Sequence, residues 1–177
     1  MSRLSLAADL KVVLSLVLWC SCTLSFAQDA AGKASAVRDK QTVLGVIEAL
    51  EGDPLAPRAH ELRAGLFRWL TEVPDLEVVL CPDVLGRIDE FGTHAREVTM
   101  QLSFSQAGFL LRNPSGNARS VPAQLAGAVG ALRVYQAIRK ADPKARSKVL
   151  DELVQKQESG ALEAHVAKGW QVCAARK

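Results

Sequence analysis

The sequence predicts an all-α domain, a compact bundle of six or seven helices, and three observations carry that prediction. Apolar residues recur at helical spacing along most of the chain after Ser35. Asp-Pro, Cys-Pro and Asn-Pro pairs cut it into pieces of helical length. The stretch Val121–Asp142, VPAQLAGAVGALRVYQAIRKAD, is apolar over most of its circumference, as a helix with neighbours on several sides must be. One stripe holds Val121, Leu125, Ala128, Leu132 and Tyr135, and a second holds Gly127, Gly130, Ala131, Val134, Ile138 and Ala141. Only Arg133, Gln136 and Lys140 form a plainly polar arc, so this is expected to be the central helix.

Ahead of the domain, residues 1–27 follow the secretory pattern. A short basic start with Arg3 and Lys11 leads into the apolar run Val12–Cys20, and Ser25-Phe26-Ala27 suits a signal-peptidase site before Gln28. The expected product is a single domain over 28–177, exported and therefore periplasmic or secreted. The run is too short for a comfortable membrane span, and no later segment approaches ~20 apolar residues. An uncleaved N-terminal anchor, or a lipid anchor through Cys22, are the competing readings of the same flanks. Removal of the leader also removes Cys20 and Cys22, leaving Cys81 and Cys173. In an oxidising compartment two cysteines pair, closing a loop of 173−81 = 92 residues and adding about 4–5 kcal/mol by chain entropy. Two buried free thiols are the alternative if the chain stays in the cytosol.

Taken in order, the first helix is expected from an N-cap at Ser35, with Val37, Val43, Leu44, Ile47 and Leu50 near one face, and Gly52-Asp53-Pro54 stops it. Asp53 as N-cap and Pro54 at N1 are expected to start the second helix, which runs to Glu72. Its stripe is Leu55, Ala59, Leu62, Leu66, Trp69, Leu70 and Val73, with Arg58, Glu61, Arg63, Arg68 and Glu72 toward solvent. Leu76–Leu80, LEVVL, has strand-like composition but no partner strand elsewhere, so a short helix or irregular turn is expected there. Cys81-Pro82-Asp83 opens a short helix through Ile88. Thr93 caps a helix to Arg112 that is apolar on more than one face, and Asn113–Asn117 is a turn. Beyond the central helix, Asp142-Pro143 is expected to start a sixth helix carrying Val149, Leu150, Leu153 and Val154, ended near Ser159-Gly160. The last helix aligns Leu162, Val166, Trp170 and Cys173, turning Cys173 toward the core and Cys81.

Within the central helix, Ala131, Tyr135 and Pro143 have the spacing of the alanine, aromatic and terminal proline in helix B of a tetratricopeptide repeat, which this segment resembles. Ile138 departs from the family's small residue, and a preceding helix A would have to contain Pro114, Gly116 and Pro122. The resemblance covers about one helix and its turn. It implies helical-hairpin packing, and a short TPR-like array as the variant of the bundle; no binding residues carry over.

Composition narrows function by exclusion. The net charge of +3 becomes +2 without residues 1–27 (20 basic, 18 acidic), and basic residues are interspersed with acidic ones, which argues against nucleic acid as a partner. No nucleophile elbow, Walker loop, dinucleotide fingerprint or His-Glu-x-x-His occurs, and no cofactor is expected. The leading expectation is a non-enzymatic interaction or scaffolding protein whose partner is another protein. A small-ligand carrier, with a hollow beside Gly127, Gly130 and Val134, is the runner-up. Third is metal-assisted chemistry at His94, Glu97 and Glu90, where imidazole and carboxylates could converge near one helix start. His60 and His165 are expected on the surface.

Overall fold

The computed structural model describes residues 39–86 and 89–176, without the side chains of Asp89, Glu90 and Thr93. Among them the architecture is all-α, with seven helices: α1 Lys40–Gly52, α2 Ala59–Glu72, α3 Pro82–Leu85, α4 Ala95–Arg112, α5 Val121–Ala141, α6 Lys148–Glu158 and α7 Leu162–Ala175. A 3-10 turn, Asp89–His94, leads into α4. The expected leader and the expected Ser35 cap lie outside the described residues. Helix α1 begins later than expected, where Asp39 accepts the N–H groups of Gln41 at 3.0 Å and Thr42 at 3.2 Å.

Gly52-Asp53-Pro54 stops α1 as expected, but neither Asp-Pro pair starts the helix after it. Asp53 N–H still bonds Ala49 O at 2.9 Å, and Asp142 N–H bonds Ile138 O at 2.7 Å, so each aspartate closes the helix before it. The next helices start only at Ala59 and at Lys148, the latter capped by Ser147. Two effects delay them. Pro57 disfavours the helical conformation at Ala56, and the Asp142 carboxylate accepts Lys144 N–H at 3.0 Å in a local turn. One further correction follows from the 54–58 turn. Arg63, expected toward solvent, is buried and donates to Pro54 O; burial lowers its pKa, opposed by the charge of Glu97.

Helix α5 is the hub. Ten of its residues are buried, including Ala131, Leu132, Val134, Tyr135 and Ile138, and it touches α1, α3, α4, α6 and α7. The main core joins α5 to Val84, Leu85, Phe91, Val98 and Leu102 on one side and Leu150, Leu153, Leu162 and Val166 on the other. A second core lies between α1, α2 and Phe104 of α4. Close approach of α4 and α5 is made by glycine: a Cβ on Gly127 would lie 2.7 Å from Leu102 O, and one on Gly130 would lie 1.9 Å from Ser105 Oγ. At the far end, Ser159 caps α6 and Gly160 takes φ +75°, as the sequence predicts.

Candidate functional site

The segment between α2 and α3, Val73–Cys81, holds no helix and no strand. An unpaired segment must still satisfy its inward-facing polar groups. Two glutamines do so. Gln106 Oε1 accepts Val79 N–H at 2.7 Å while its Nε2 donates to Val79 O at 3.2 Å. Gln124 Nε2 donates to the same carbonyl at 3.1 Å and to Ala118 O at 2.9 Å. Gln106 on α4 and Gln124 on α5 are themselves buried, so the segment is pinned from inside the bundle.

Pinned there, Val78 and Leu80 form one wall of a groove of about 290 Å³, with Phe67 and Leu70 of α2 and Met100 and Phe104 of α4 as the other walls. Thr99 and Ser103 supply its polar edge. Phe67 is 58% exposed and Leu80 53% exposed. Phe67 falls outside the stripe that turns Ala59 and Leu66 inward, which is why α2 cannot bury it. Three other clefts are larger, about 540, 490 and 370 Å³, and the second of them is walled by the ion pairs Glu48–Arg112 and Glu51–Arg133. The exposed Glu48–Arg112 pair is ordinary solvated surface.

Cys81 and Cys173 are joined, with Cα atoms 5.9 Å apart, and Arg176 reinforces the junction by pairing with Asp83 at 2.8 Å. The hollow expected beside Gly127, Gly130 and Val134 is filled. Val134 is fully buried, Leu102 packs on Gly127, and the Ser105 hydroxyl occupies the place of a side chain at Gly130. That hydroxyl accepts from Gln101 Nε2 at 3.0 Å and donates to Glu51 Oε1 at 2.7 Å, so the glycine makes room for a polar stitch between α1 and α4.

His94 Nδ1 and Glu97 Oε2 are 4.0 Å apart, both side chains 22% exposed, and Glu97 Oε2 has no hydrogen-bond partner among the described residues. The Glu90 side chain lies outside those described. Among the described residues the three-membered donor group is Cys81, Asp83 and Cys173, and its two sulfurs are bonded to each other, leaving no thiolate for a metal. Of the histidines expected at the surface, His60 is exposed, whereas His165 is half-buried.

Sequence reasoning missed the groove and the glutamines behind it. The available signals were Phe67 standing off the α2 stripe and three glutamines on helices that are otherwise apolar on several faces. No protein-family model, no curated protein and no solved structure matches the chain.

Proposed function

We propose that this protein is an exported, non-enzymatic interaction module that holds another protein in the groove between α2, α4 and the Val73–Cys81 segment. The observation that carries the reading is the pair Phe67 and Leu80, two large apolar side chains more than half exposed on facing walls of one groove. Contiguous exposed apolar surface costs solubility, and its usual reason is a partner that covers it. Export is supported by the secretory pattern of residues 1–27 and by the Cys81–Cys173 bond, which needs an oxidising compartment to persist.

The test is recovery of the tagged full chain from its native host, as the natural sequence and as Phe67→Ser/Leu80→Ser. The expected result is one protein in stoichiometric amount with the natural chain, absent from the variant, whose thermal midpoint is unchanged. A partner retained equally by both, or recovery of the chain from the cytoplasm with free thiols, would sink the reading.

A further inference from the structure

We infer that the groove takes its partner as an added β-strand, an extended segment with apolar side chains at alternate positions that pairs with the free backbone edge of Val78 and Leu80. The inference rests on the docking reading above and names the chemistry of the partner.

A side-chain amide can bond both the N–H and the C=O of one residue only when the two point the same way, as they do in an extended residue. Gln106 does this to Val79. In extended chain the neighbouring residues turn their N–H and C=O to the opposite side, so those of Val78 and Leu80 point away from α4. Among the described residues these four groups have no hydrogen-bond partner. Side chains alternate in the same way. Val79 packs into the small core with Leu110 and Ala123, while Val78 and Leu80 face the groove.

The segment therefore presents a strand edge with one side satisfied and the other bare, next to an apolar trough. Bare strand edges are what a strand-adding partner recognises: backbone bonds supply affinity, and pockets for alternate side chains supply specificity. A strand laid antiparallel beside residues 78–80 can exchange four hydrogen bonds. The residues that make those bonds turn their side chains to the same face as Val78 and Leu80, the face that borders the trough. An edge this short fits a single segment of chain, whereas two folded copies need about 1,200 Å² or more of buried surface to stay together.

The experiment uses the purified, disulfide-bonded protein and a fluorescein-labelled octapeptide of alternating valine and threonine with lysine at each end. Its control is the same peptide N-methylated at the valine amides, which keeps the apolar side chains and blocks the ladder. In the free protein, hydrogen exchange at Val79 should be slow and at Val78 and Leu80 fast. Adding the peptide should slow Val78 and Leu80 while Val79 stays as it was, and the N-methylated peptide should bind about tenfold more weakly or worse.

Equal binding of both peptides, each abolished by Phe67→Ser, would overturn strand addition and leave the groove standing as an apolar dock. Failure of the unmethylated peptide to bind would overturn the strand chemistry, and the co-purified partner's dependence on Phe67 would show separately whether the docking reading survives. A dimer in sedimentation that Leu80→Glu dissociates would overturn the inference in favour of a second copy on the edge.

Discussion

Tyr135 does two jobs in the core of α5. Its ring meets Phe91 edge to face with centroids 5.0 Å apart, and Arg139 sits 5.6 Å above it. Its hydroxyl donates to Asp151 Oδ1 at 2.6 Å and accepts Ser147 N–H at 3.0 Å, tying the cap of α6 to the middle of α5. Burial, and next the bond to Asp151, raise the pKa of the hydroxyl above its ordinary 10.0. In the unfolded chain the proton leaves near 10.0 while the folded protein still holds it. Stability from this group is therefore whole below that pH and falls as pH rises beyond it. Tyr135→Phe should lower the unfolding free energy in urea at pH 7 by about 1–3 kcal/mol, since the buried Ser147 N–H loses its acceptor. Between pH 10 and pH 11 the variant should lose less stability than the natural protein. The ring's place in the core was legible from spacing alone. The hydroxyl's partners were not, because Ser147 sits in a turn that the Asp142-Pro143 pair makes look like the start of a helix.

At the scale of elements, the Val73–Cys81 segment shows what periodicity can and cannot report. Its valines and leucines look like a strand, and the missing partner strand predicts a short helix or irregular turn; the structure takes the irregular form. What stands in for the partner is a pair of side-chain amides from α4 and α5. Apolar spacing marks the buried faces of those helices but is silent on why Gln101, Gln106 and Gln124 are among the buried residues. Gln106→Met keeps the volume and removes the pairing, leaving Val79 N–H without an acceptor. It should cost about 1–3 kcal/mol in denaturant unfolding and speed hydrogen exchange at Val79, with α-helical circular dichroism unchanged. Unaltered exchange at Val79 would mean that the segment is held by its side chains alone. Misplaced helix starts have a comparable cause. An Asp-Pro pair is compatible with closing one helix and with opening the next, and the backbone bonds from Asp53 and Asp142 decide for closing.

For the whole molecule, the Cys81–Cys173 bond joins the short α3 to the last helix across a separation of 92 residues. The pairing was legible in the sequence because the leader expected over residues 1–27 would account for the other two cysteines. Cys81→Ser/Cys173→Ser should reduce the unfolding free energy by about 4–5 kcal/mol on the loop-entropy model, read by urea titration of both proteins without reductant. An unchanged midpoint would mean that packing of α7 on α3 and α5 holds the C-terminus unaided. The groove had no such signature, since it is assembled from α2, α4 and an irregular segment whose approach depends on tertiary packing.

The position of α7 also bears on how the chain is made. Helix α5 is apolar around most of its girth and receives one of its covers, Leu162 and Val166, from α7, two helices further along the chain. Threaded N-terminus first, the chain delivers its hub well before that cover and before the second cysteine arrives. Until then one flank of α5 stands open and Cys81 waits for Cys173. The order of synthesis thus gives this protein a period of vulnerability that ends only when α7 has emerged, a stretch of time in which a holdase or an oxidoreductase has something to act on.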